Sequence, residues 1–403
     1  MSLPRGIRYF GGGDLSGYGT AAVRAVRLLV NAGLPVQWIP LRWHAPGMLP
    51  APWEDAAGRR LPLLQAQGGG AAYADVPELI RATAAPVGHD TVIVHAPPDT
   101  WPAMFEAGRR NIGYVAWETD CAPAHWLPLL RLAERIAVPS QACTQALQRA
   151  GLAYPPQVVP HPRAPRAAEY SPGDIAAARS DLGIPPGHTV FYSIGRWDPR
   201  KNLAGLIDAF VRAFDADDPV TLLLKTDTQG SGTGPWYAPR ATRELAADAL
   251  AAALARHGRS APHLCLIDER LDGDGIDLLH ALGDVYVSLS HGEGWGCDAL
   301  EAAVRATPVI GPGWGGPLDY LGARWPGAVP GRLVPAPVWP PQCPLFFPSQ
   351  RWAEPDLDAA ARLLRAHWSD PAPARAAAQA IRERVVQRYG EARVWHDWRA
   401  LLA

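Results

Sequence analysis

Apolar, β-branched runs alternate with helix-patterned runs along most of this chain, in two separate series, and that rhythm restricts the fold more than any other feature. The first series has strand-like runs at 7–10, 36–39, 91–95, 112–116 and 136–138, with helices expected at 20–31 and 141–150. A Pro/Ala-rich stretch at 160–187 interrupts it. The rhythm then restarts, with strands at 190–194, 220–224, 264–267, 284–290 and 308–310 and helices at 203–214 and 241–256. Strand–helix alternation makes a parallel sheet with helices on both faces. Two such series predict an α/β protein of two doubly wound domains facing a cleft, with ligands held beyond the carboxyl ends of the strands. A length of 403 residues agrees, being too great for one ordinary core.

The boundaries follow the same pattern: a first domain at 1–165, a linker at 166–187, a second domain at 188–372 and a helical tail at 373–403. The tail carries Ile381, Val385, Tyr389, Trp395 and Trp398 without a dense basic face, so packing on the protein is expected rather than insertion in a membrane surface. The stretch 325–348, dense in Pro, Gly and Trp, reads as an irregular loop. Asp272-Gly-Asp274 reads as a solvated turn rather than a metal loop.

Composition excludes several classes. Hydrophobic residues at 48% and charged ones at 19% describe a globular chain. A net charge of −1 leaves no general nucleic-acid footprint. The five cysteines are scattered without metal spacing, which points to free thiols, a reducing compartment and no metal site. There is no signal-peptide pattern and no uncharged apolar run of membrane length, so a cytoplasmic protein is expected, with at most peripheral contact at the inner membrane face. Of 38 basic residues only Lys201 and Lys225 are lysines. A GC-rich genome is the main cause, yet a lysine kept against that bias can mark a need for a compact ammonium.

The densest chemistry lies in Ser288-Leu-Ser-His-Gly-Glu-Gly-Trp-Gly-Cys-Asp-Ala-Leu-Glu301. It places Glu293 at the end of a strand, Gly294, Trp295 and Gly296 in a turn, and Glu301 just inside the next helix. Amides at that helix start favour an anion, and glycine allows close approach. Carboxylates on either side suit neutral hydroxyls, which describes a nucleotide sugar. A second loop, Ser193-Ile-Gly-Arg-Trp-Asp-Pro-Arg-Lys-Asn202, offers Arg196 and Lys201 to a diphosphate leaving group. A third, Gly11-Gly-Gly-Asp-Leu-Ser-Gly-Tyr-Gly19, sets Gly17 at another potential anion-binding turn, though a ligand-free βα turn explains it too. His95, Glu118 and Asp120 follow first-domain strands and are acceptor-side candidates; Glu118 or Asp120 could orient an acceptor hydroxyl or act as base, whereas a histidine placed like His95 is more often a packed one.

These motifs resemble those of the family 4 retaining glycosyltransferases, which have the GT-B fold. The shared features are the E-x7-E spacing of Glu293 and Glu301, Gly195-Arg196…Lys201-Asn202, Thr307-Pro-Val-Ile310 before Gly315-Gly316, Pro139-Ser140 and the early glycine loop. The resemblance implies that Glu293 holds sugar hydroxyls and Glu301 the ribose. Arg196 and Lys201 would grip the donor diphosphate, the Gly294–Gly296 amides would place sugar and phosphate, and the base would sit near 268–271, including Arg270. The last helix would cross back to the first domain. Trp117-Glu118 stands where many members carry a histidine. The activity implied is retaining transfer from a nucleoside diphosphate sugar to a glycan, lipid-linked or small-molecule acceptor, in bacterial polysaccharide biosynthesis, with no cofactor or metal. Alternatives are a nucleotide-sugar epimerase and a catalytically silent subunit. Loops at 47–70 and 97–110 are expected to select the acceptor.

Overall fold

In the computed structural model, residues 3–44, 47–61, 63, 76–163, 169–231, 239–339 and 345–403 are described. Two sheets organise the chain. The first has the order β3-β2-β1-β4-β5-β6-β7, from β1 (Ile7–Gly12), β2 (Val36–His44), β3 (Gly47–Pro50), β4 (Thr91–His95), β5 (Arg110–Tyr114), β6 (Arg135–Val138) and β7 (Gln157–Val158). All its pairings are parallel except β2 with β3, a hairpin at the edge. The second has the order β12-β9-β8-β13-β14-β15 and is parallel throughout. Its strands are β8 (Thr189–Ile194), β9 (Val220–Lys225), β12 (His263–Ile267), β13 (Val285–Val287), β14 (Val309–Pro312) and β15 (Ala328–Val329); β10 (Gln229–Ser231) and β11 (Pro239–Ala241) form a separate hairpin.

Each sheet buries apolar side chains on both faces, as crossover helices require. Tyr9, Ile93 and Ile112 point to one side of the first sheet, and Phe10, Val92 and Val94 to the other. In the second, Phe191 and Leu222 face one core and Val190, Tyr192 and Leu223 the opposite one. In both sheets the strand order reverses next to the first strand, between β1 and β4 and between β8 and β13. Ligands bind at such reversals, and both motif loops of the second domain emerge there.

Some elements differ from the sequence reading. The stretch 325–348 is not wholly irregular: β16 (Gly331–Pro335) pairs antiparallel with β17 (Arg351–Pro355), its proline content having hidden the strand pattern. Trp352 and Phe346 join the first domain's core from this side. Asp272 is not a solvated turn but the N-cap of a helix, Gly273–Leu282, accepting a bond from the Gly275 amide at 2.9 Å. A helix, Pro172–Asp181, also stands within the linker.

The tail is two helices. Pro371–Arg388 packs on the second domain through Ile381 and Val385, and Glu391–Leu402 on the first through Val394, Trp398, Leu401 and Leu402. Four cysteines are free thiols; Cys343, like part of the 47–70 loop, lies outside the described residues. Among the described residues no helix is long and apolar enough to cross a membrane.

Candidate functional site at the domain boundary

Glycines decide how closely the two domains meet. A Cβ on Gly292 would stand 1.9 Å from the Glu118 carbonyl oxygen, and one on Gly294 would stand 3.0 Å from both Trp117 N and Trp117 O. The loop that carries Glu293 therefore lies backbone to backbone against the loop that carries Glu118. Ser140 Oγ donates to Gly294 O at 2.7 Å and tightens the same contact. Gly296, at φ 81°, turns the chain into the helix Cys297–Val304 in a conformation that suits glycine. Trp295 is directed into the second core against Tyr320 and Tyr389 rather than into the cleft.

Four charged side chains from both domains meet at this contact. Lys201 Nζ lies 2.6 Å from Glu293 Oε1. Arg200 Nη1 lies 3.3 Å from the same oxygen and donates to Gly292 O at 2.6 Å, while its Nε stands 4.0 Å from Glu118 Oε1. Burial pushes the Glu293 carboxyl up, but Lys201 and Arg200 outweigh it and hold it down at about 2. For Glu118 burial prevails: its pKa is raised, with Arg200 acting against the shift and Glu293 adding to it. Tyr18, from the glycine-rich first loop, reaches the same place and donates to Ala116 O at 3.3 Å. Arg200 was not singled out by the sequence reading, although it lies within the quoted motif. Spacing alone does not show which of three basic side chains turns inward.

Glu301 is held elsewhere. Its Oε1 lies 2.8 Å from Nη2 of Arg24, on the first-domain helix Gly17–Asn31, and its Oε2 lies 3.4 Å from Arg305 Nη1. Asp298, one turn earlier, lines a cavity with Lys201, Glu293, Ser290 and Trp314. Burial raises its carboxyl to about 6; Lys201 opposes the shift, and Glu293 and Glu301 add to it.

Other expected site residues are not brought to Glu293. Arg196 is exposed and pairs with Asp227 at 3.5 Å, so in this conformation it turns along the surface. Asp120 accepts from the Arg351 amide at 2.6 Å and donates its own amide to Arg351 O at 2.8 Å, a strand-like clasp on β17. His95 is 1% exposed, bonded through Nδ1 to Tyr9 Oη at 2.6 Å and stacked on His161; burial lowers it to about 3. It is a packed histidine. Gly17 is exposed with open space around it, and Ser16 caps the helix that follows, its Oγ accepting from Gly19 N at 3.3 Å. Arg270 is exposed beyond the end of β12.

Two doubly wound domains closing on a shared switch point define the class: the chain has the GT-B fold. Over 99% of both chains it is similar to the crystal structure of Anabaena Alr3699/HepE in complex with UDP and glucose, at TM-score 0.63 and 16% identity. Sucrose-phosphate synthase from Thermosynechococcus elongatus is similar over 98% of both chains, at TM-score 0.63 and 18% identity. No protein-family profile matches the chain.

In sequence, 150 residues, 36% of the chain, are 35% identical to a D-inositol 3-phosphate glycosyltransferase of Geodermatophilus obscurus. A protein of that name from Rhodococcus jostii is 34% identical over 148 residues. The chain spans only 31% and 30% of the lengths of these two relatives.

Proposed function

We propose that the chain is a retaining glycosyltransferase that moves a sugar from a nucleoside diphosphate to an acceptor hydroxyl. One observation carries the reading: at the second sheet's switch point, Glu293 is clamped by Lys201 and Arg200 while facing Glu118 of the other domain. The glycosyltransferase relatives support it. So do the GT-B neighbours in complex with UDP, which make a uridine diphosphate sugar the first donor to test.

A carboxylate with a pKa near 2 is a weak base and a weak nucleophile, but it accepts hydrogen bonds well. Glu293 thus suits sugar hydroxyls and not attack on the anomeric carbon. In the step we envisage, the bond from that carbon to the diphosphate oxygen breaks and its electron pair leaves with the diphosphate. Lys201 and Arg200 stabilise the charge that develops, with no metal required. The acceptor oxygen approaches on the face the leaving group vacates, bonds to the carbon, and passes its proton to the departing diphosphate. Glu118, less acidic, orients the acceptor hydroxyl.

The role of the product in bacterial glycan or glycoconjugate synthesis belongs to the same proposal. Reaction with an α-linked donor in the presence of EDTA, followed by NMR of the product, tests it: an α-linked product is expected, and a β-linked product overturns the retaining mechanism.

A further inference from the structure

The chain's two lysines stand at neighbouring strand ends, Lys201 in the loop after β8 and Lys225 as the last residue of β9. Their surroundings differ. Glu293 neutralises Lys201 at 2.6 Å. Lys225 is 8% exposed, and its ammonium bonds to the carbonyl of Thr226 at 2.9 Å; among the described residues no carboxylate forms an ion pair with it. An ammonium carries three donors, and an unneutralised buried charge is costly. Burial accordingly lowers the Lys225 pKa; Asp227 and Asp298 act against the shift, Arg270 adds to it and Glu269 opposes it.

Beside it lies a second unfinished group. The Thr226 hydroxyl is buried, the residue being 1% exposed, and has no hydrogen-bond partner among the described residues. Buried hydroxyls are nearly always bonded, so an orphan marks a place for a missing partner. The Gly195 amide donates to Lys225 O at 3.0 Å, which ties the lysine to the start of the loop bearing Arg196, Arg200 and Lys201. Arg196 meets Asp227 just above. A buried cation with donors to spare and an orphan hydroxyl thus share the carboxyl edge of a parallel sheet, where anionic ligands are bound.

We propose that Lys225 and Thr226 form a phosphate-binding pair, in which the ammonium and the hydroxyl take an oxygen of the donor's diphosphate. This rests on the reading of the chain as a nucleotide-sugar transferase. It adds a cation from β9 to those of the β8 loop, and gives the second of the chain's two lysines a chemical task.

Calorimetric titration of wild type, K225M, K225R and T226V with uridine, UDP and inorganic pyrophosphate tests it. K225M is expected to weaken UDP and pyrophosphate at least tenfold and leave uridine unchanged. K225R should lose less, and T226V a few-fold. The melting temperature of ligand-free K225M should not fall, because an unpaired buried charge has been removed; this separates binding from a structural role. Carbon-13 reductive methylation offers a second readout, with the Lys225 methyl signal moving on addition of pyrophosphate. Undiminished UDP affinity in K225M overturns the proposal and leaves the transferase reading standing. Pyrophosphate binding through Lys225 without any nucleoside diphosphate binding overturns the transferase reading and, with it, the assignment of the pair to a donor's diphosphate. No binding of either ligand by wild type overturns both.

Discussion

Arg24 of the first domain and Glu301 of the second form an ion pair 2.8 Å long, with less than a tenth of either side chain exposed. The resemblance assigns Glu301 to the ribose, so in this conformation the first domain occupies the carboxylate that a nucleotide would use. A ligand that needs a state only partly populated binds more weakly by that fraction.

Replacing Arg24 by Met should therefore tighten UDP binding, roughly tenfold for each 1.4 kcal/mol of pairing removed. The ligand-free protein should lose up to about 3 kcal/mol, since Glu301 loses a buried partner while Arg305 remains. Calorimetry and melting curves check the two halves. Unchanged or weaker UDP affinity would show that Arg24 does not compete with ribose.

Glu293 should govern acid stability. Its folded pKa, about 2, lies below the model-compound value of 4.5, so its contribution is fully present above pH 4.5 and fades as pH falls towards 2. E293Q should flatten that part of the acid-unfolding curve and lower kcat/KM about a hundredfold, the scale of losing one charged contact in a transition state. An acid limb identical to wild type would contradict the Lys201 and Arg200 clamp.

Asp298 should make donor binding pH-dependent. Its carboxyl, at about 6, gains its negative charge as pH rises through that value, close to Lys201, Glu293, Glu301 and Arg24. UDP affinity should fall from pH 5 to 7, and D298N should hold the low-pH affinity throughout. Equal pH dependence in both proteins would remove Asp298 from the site.

Gly292→Ala should separate the loops. Its Cβ would meet the Glu118 carbonyl oxygen, a backbone atom that cannot swing aside. Overpacking of this kind costs about 1–3 kcal/mol, and transfer should drop at least tenfold while the second domain still binds UDP. Full activity in G292A would mean that the domain contact is not needed for catalysis.

The site was legible where local chemistry is local in sequence. A glycine-rich loop and a helix start lie within 288–301, so the place of Glu301 on its helix could be read directly, whereas β13 ends at Val287 and leaves Glu293 in the loop rather than at the end of the expected strand. Contacts between domains were not legible. Arg24 lies in mid-helix among Ala and Val, and nothing in the spacing says that it meets Glu301, although a charge on an apolar face was a signal available in the sequence. Gly294 and Gly296 were read as room for phosphate, and the spacing did not show that Gly294, with Gly292 before it, also makes room for Trp117 and Glu118. In the fold, the parallel strands announced themselves by apolar content. The β16–β17 hairpin did not, because Pro and Arg occupy its ends and four of the five residues of β16 are exposed.

The most direct measurement is a calorimetric titration of wild type, K201M and E301Q with UDP-glucose and its nucleotide. Saturable one-to-one binding by wild type, weakened at least tenfold by each substitution, is the expected result. Binding that neither substitution disturbs would place the donor somewhere other than between the paired glutamates and their cations, and the account would fail.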